Sequence, residues 1–153
     1  MDGAEEVYGK LTVTLKRLSS YGDIIERRLE VADSEGTSPH RIVTLLQLSS
    51  WPLEEVPHPS AILSLVDLLS KAQRSSPSRH TIVMCRYMNN ILWIDKVDDT
   101  ILTFYSDGVG RTGTFICLHS QLERLKTEGV VDFFQGVKSA RIQRAGLVPD
   151  AVR

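Results

Sequence analysis

The stretch Ser106-Asp107-Gly108-Val109-Gly110-Arg111-Thr112-Gly113 has the residue types best suited to holding a small anion. Its glycines let successive backbone amides turn inward with no Cβ in the way, which forms a concave cradle for negative charge. Downstream, Phe115, Leu118, Leu122 and Leu125 recur at helical spacing until Gly129, a stop signal. The cradle therefore opens a helix, whose N-terminus adds partial positive charge. Arg111 supplies a planar guanidinium able to grip two oxygens of a phosphate. The nucleotide-binding loop is excluded, because it requires Gly-Lys-Ser/Thr and here Gly110 precedes Arg111 and Thr112. A Gly-rich turn before a helix is also commonly a purely structural device, so the pattern alone leaves both readings open.

The elements that must position this loop can be read outward from it. Thr81 to Cys85, "TIVMC", is a short apolar run bounded by turn residues and predicts a buried strand. Earlier, Leu11, Val13 and Leu15 alternate with Thr12, Thr14 and Lys16, which predicts a strand. Two more strands are expected at Tyr21 to Val31 and Arg41 to Leu48, separated by the turn-forming Asp33 to Pro39, so that the three could form a meander. Trp51-Pro52 closes that region, since proline lacks the amide a central ladder needs. From Pro59, Ile62, Leu65, Val66 and Leu69 share one helical face as far as about Arg74, where Ser75 to Ser78 break the pattern. A last helix is expected from Val130 to Arg144, with Phe133, Phe134, Val137 and Ile142 inside. Strands followed by helices predict an α/β layer architecture in one domain.

Composition narrows the partners. The chain has 153 residues, 42% of them hydrophobic, and 18 Lys+Arg against 19 Asp+Glu for a net charge of -1. A domain of this size buries roughly 70% of the surface its unfolded chain exposes, enough for a core without staples. So balanced a charge gives no electrostatic basis for nucleic acid as the main partner. No run reaches the roughly 18 apolar residues of a membrane span. Two cysteines make no disulfide framework and no apolar leader is evident, so a reducing cytoplasmic setting is expected.

"SDGVGRTGTF" resembles the signature loop of the classical protein tyrosine phosphatases, in which Cys-x5-Arg follows a buried strand. "YGKLTVTLK", "RRLEV", "RIVTLLQLSSWP", "VPHPSAILSLVDLL" and "VVDFFQGVKSARIQRAGLV" are similar, in order, to the C-terminal half of that family's domain, and most of all to receptor-type members, including their membrane-distal second domain. The resemblance implies a partial phosphatase domain over residues 1–153. Its fold would be a mixed twisted sheet with helices packed on it and a strand-loop-helix phosphate-binding loop. It implies hydrolysis of phosphotyrosine through a phosphocysteine intermediate, with no cofactor or metal. Cys85 would be the nucleophile, its thiolate favoured by loop amides, helix dipole and arginine. Ser106, Asp107, Gly108, Val109, Gly110 and Arg111 would hold the equatorial oxygens, and Thr112 matches the hydroxyl that helps the thiolate leave. Trp51, Pro52 and Leu53 would be the acid loop. The implied partners are a phosphotyrosine protein or peptide and another phosphatase domain.

The chain departs from the family pattern at several points. Cys85 and Arg111 are separated by 25 residues rather than five, and removing Arg86 to Tyr105 leaves "CSDGVGRTG" at family spacing. Residues 86–105 are thus one clean 20-residue insertion. Its borders can be encoded with the GT and AG of an unspliced in-frame intron; a genuine loop insertion is the alternative. Within it, "TILTFY" could compete with "TIVMC" and set Tyr105 in the nucleophile's place, where a phenol of pKa about 10 is a poor thiolate substitute. Leu53 stands where the family has its general acid, and Met84 where a histidine usually precedes the cysteine. The family's first half has no counterpart, and "GLVPDAVR" stops where a glutamine-bearing loop positions water. The expectation is a chain with impaired activity, with a non-catalytic pseudophosphatase module as the alternative. Among the remaining residues, Cys117 and His119 are expected to serve packing. His40, His58 and His80 show no metal-ligand spacing.

Overall fold

A computed structural model describes residues 3–36, 39–51, 56–75, 80–85 and 109–149. The described chain falls into two compact units, Met1–Arg79 and His80–Arg153.

The first unit is a four-stranded antiparallel sheet with a helix. Strands β1 (Glu5–Tyr8), β2 (Leu11–Tyr21), β3 (Ile24–Asp33) and β4 (Arg41–Leu48) lie in chain order, each paired with the next. β1 escaped the sequence reading because its four residues, "EEVY", carry two acids and all are exposed. The expected strand from Tyr21 is also corrected: Tyr21 closes β2 opposite Ile24, and Gly22-Asp23 forms a two-residue hairpin turn. That turn needs a positive φ, which Gly22 supplies at 59°. Between Leu15 and Arg17 the β2–β3 register shifts. The extra residue, Lys16, returns Leu18 to the face shared by Leu11, Val13 and Leu15, which strict alternation would deny it. On the other face, Ile24 is 1% exposed and pairs with Leu48, beside the half-buried Thr44 and Leu46 of β4.

Helix α1 (Pro59–Ser75) packs on β4. Proline suits the first helical position, where its missing N–H has no intrahelical partner to lose. Ile62 and Val66 are buried and Leu65 and Leu69 half-buried, the face that periodicity predicts.

The second unit holds helices α2 (Arg111–Glu128) and α3 (Phe133–Gln143). α2 ends at Gly129, whose left-handed φ of 72° lets its N–H reach the Leu125 carbonyl at 3.0 Å. α3 starts three residues later than Val130, because Asp132 caps it: the Asp132 carboxylate accepts from the Gln135 N–H at 3.0 Å. Asp132's own N–H donates to Gln121 Oε1 at 2.7 Å, which fixes the link between the helices. Contrary to expectation, Phe133, Phe134 and Ile142 are not inside; they are 52%, 74% and 79% exposed. Instead, the second unit buries Thr112, Phe115, Cys117 and Gln121 of α2 together with Leu147.

The α/β class is as expected, and the described sheet is antiparallel throughout. One strand must be corrected. Residues 81–85 have no regular secondary structure, and Ile82 and Met84 are 86% and 81% exposed. A strand buried on both faces requires neighbours on both sides, and alternate residues of this segment lie in solvent instead.

Candidate active site

Arg111 is the first residue of α2 and is half-buried. Gly110 precedes it as N-cap and, having no side chain, makes no side-chain capping bond. Its carbonyl accepts the first helical bond, from Thr114 N–H at 2.9 Å. A glycine N-cap, unlike Ser, Thr or Asp, offers the first-turn amides no side-chain acceptor. Thr112 is 5% exposed, and its Oγ1 has no hydrogen-bond partner among the described residues. An orphaned buried hydroxyl ordinarily costs about 1–3 kcal/mol, so the position calls for an explanation.

The next turn is held by close packing. A Cβ at Gly113 would lie 2.8 Å from Leu147 Cδ2 and 2.9 Å from Val148 N. Only glycine lets the segment 144–148 approach the head of α2 so nearly. That segment is bonded on both sides: the Val148 N–H donates to the Val109 carbonyl at 3.0 Å, and the Arg141 guanidinium donates from Nε to Leu147 O at 2.9 Å and from Nη2 to Val148 O at 2.5 Å. These residues escaped the sequence reading. The signal available was Gly146, which has a positive φ of 79°, ahead of Pro149.

Of the predicted site residues, the structure gathers Val109, Gly110, Arg111 and Thr112 at the head of α2. Cys85 is a half-buried cysteine in the irregular segment 80–85. Ser106, Asp107 and Gly108 lie outside the described residues, as does the insertion 86–105. Of the three residues expected to form an acid loop, Trp51 is half-buried, while Pro52 and Leu53 lie outside the described residues. Cys117 is buried, and burial pushes its thiol above the ordinary 9.0, opposed by the nearby positive charge of Arg141. His119 stacks on Phe115 at a centroid distance of 6.1 Å, a packing role. No group of three or more His, Cys, Asp or Glu among the described residues could hold a metal.

The protein-tyrosine phosphatase family model matches residues 1–152. The chain belongs to the protein-tyrosine phosphatase family. Among curated relatives, it is 31% identical over 142 residues to human receptor-type tyrosine-protein phosphatase alpha, covering 92% of this chain and 15% of that protein. It is 32% identical over 146 residues to mouse receptor-type tyrosine-protein phosphatase C, covering 94% and 10%. With human receptor-type tyrosine-protein phosphatase epsilon the figures are 33% over 109 residues, 71% and 13%. The chain thus spans a sixth or less of the length of these relatives. It is a phosphatase-domain fragment, with Arg111 at the first position of α2. No described helix is long and apolar enough to cross a membrane.

Proposed function

We propose that the head of α2 binds a phosphate monoester, the phosphotyrosine side chain of a protein, and that hydrolysis by this chain is severely impaired. The observation that carries the reading is the glycine-capped start of α2, with Arg111 at its first position and the orphaned, buried Thr112 hydroxyl beside it. Ser106 to Gly110 would supply amides to the equatorial oxygens, and Arg111 two charge-assisted bonds. In a competent site the Cys85 thiolate forms a bond to phosphorus as the bond to the tyrosine oxygen breaks, and an acid protonates that oxygen. Water then displaces the sulfur. Leu53 has no proton to give, Met84 cannot hydrogen-bond the thiolate as histidine does, and 25 residues separate Cys85 from Arg111. A misplacement of about 1 Å costs roughly 10²-fold in rate.

A second reading, favoured by Leu53 and Met84, is a non-catalytic module that binds a phosphorylated partner or another phosphatase domain in the cytoplasm. Tungstate titration and p-nitrophenyl phosphate hydrolysis test both readings. The expected results are tungstate binding lost in Arg111→Ala, and no phosphate release that Cys85→Ser abolishes. Robust Cys85-dependent turnover overturns the impairment, and tungstate binding indifferent to Arg111→Ala overturns the site.

A further inference from the structure

Val148 is the one described non-glycine residue with a positive φ, 53°. For a β-branched side chain this is a strained conformation that persists only where surrounding bonds over-determine it. Those bonds are present on both sides of the residue. Its N–H is committed to the Val109 carbonyl at 3.0 Å, and its own carbonyl accepts from Arg141 Nη2 at 2.5 Å. Arg141 Nε holds the preceding carbonyl, Leu147 O, at 2.9 Å. Leu147 is 6% exposed and closes on Gly113 across a gap too small for a Cβ.

The Val109 end of this chain of bonds has a direct consequence for anion binding. In a trans peptide the carbonyl and the following N–H point in opposite directions. Committing the Val109 carbonyl to Val148 therefore sets the direction of the Gly110 N–H, which belongs to the anion cradle. If that peptide turned over, it would direct a carbonyl oxygen at the ligand in place of a donor.

We propose that Arg141 is a positioning residue for the phosphate-binding loop: by clamping the Leu147 and Val148 carbonyls it holds Val148 in its strained turn, and Val148 in turn orients the Val109–Gly110 peptide. The proposal rests on the reading of the α2 head as a phosphate site and extends it to a residue on α3. Two donors in one rigid plane are required, so lysine is not an equivalent replacement.

The test uses the full chain with Arg141→Met, Arg141→Lys, and Arg141→Met combined with Val148→Gly. It measures tungstate affinity and amide hydrogen exchange resolved by residue. Arg141→Met removes both guanidinium bonds, and since one charge-assisted bond corresponds to about tenfold, it is expected to speed Val148 exchange and weaken tungstate by at least about that factor. Exchange at Gly129, at the far end of α2, stays unchanged. Arg141→Lys falls between. Adding Val148→Gly restores most of the affinity, because glycine holds a positive φ without strain. Val148 exchange unaffected by Arg141→Met overturns the proposal, as does equal acceleration at Gly129, which marks general loosening. If the parent chain binds no tungstate, the phosphate-site reading fails, and with it the functional part of the proposal. The Val148 exchange rates then show separately whether the clamp itself exists.

Discussion

Cys85 and Cys117 share a chemistry but sit in different surroundings. Cys117 lies in the interior of the second unit, where burial raises its pKa above 9.0 and keeps it protonated at neutral pH. That burial contributes stability below the ordinary thiol value, and the contribution is lost as pH rises through the higher folded value. Iodoacetamide at neutral pH is expected to label half-buried Cys85 faster than Cys117, with the two rates converging in denaturant; mass spectrometry of quenched digests reads both. Equal rates in the folded chain would contradict the burial of Cys117. Glu30 shows the opposite sign. Its hydrogen bond to Lys16, 2.7 Å away, holds its carboxyl below the ordinary 4.5, with His40 at 3.5 Å on the other oxygen. Its contribution is present above 4.5 and lost as pH falls through the lower folded value. Glu30→Gln is therefore expected to flatten the acid limb of a plot of melting temperature against pH, by a small amount because its partner Lys16 is exposed and the pair is screened by solvent.

Among the elements, α2 was the most legible from sequence. The regular spacing from Phe115 to Leu125, a glycine at each end and the change of pattern at Arg111 all point to the same helix. α1 was nearly as clear, because its apolar face is continuous and proline begins it. β1 was not legible, since four exposed residues with two acids follow no hydrophobic period. The strand predicted at Thr81–Cys85 failed for a related reason: a short apolar run shows what could be buried, whereas burial itself depends on neighbours that a local window does not contain. The candidate site was legible where its geometry is local, from Val109 to Thr112. The brace from Arg141 through Val148 was not, because backbone bonds between distant residues leave no mark on residue type. Gly113 carries the sharpest expectation at this scale. Gly113→Ala sets a methyl 2.8 Å from Leu147 Cδ2 and 2.9 Å from Val148 N. Overpacking of this kind costs about 1–3 kcal/mol, measurable by urea unfolding, even though alanine is the better helix former. A stabilised Gly113→Ala chain would show that the segment 144–148 does not rest on α2.

For the whole molecule, the proposed impairment turns on the 25 residues that separate Cys85 from Arg111. A version lacking residues 86–105 restores Cys-x5-Arg and is expected to release phosphate from p-nitrophenyl phosphate in a Cys85-dependent manner. Adding Leu53→Asp to that version, which would supply the acid that the proposed reading finds missing, is expected to raise turnover by about 10²-fold. If neither change produces Cys85-dependent release, spacing and proton supply do not account for the proposed impairment. A transcript that joins the Cys85 codon directly to a serine codon would identify the 20 residues as retained intron.

The order β1-β2-β3-β4 also bears on how the chain is made. Each strand pairs with the one synthesised just before it, and the two-residue turn at Gly22-Asp23 shortens the search further. Such sequence-local pairing is the topology that forms quickly, with little loop entropy to overcome. During translation the first unit can therefore assemble on the ribosome before the codon for Arg111 is read, leaving the later half to fold after the sheet is finished.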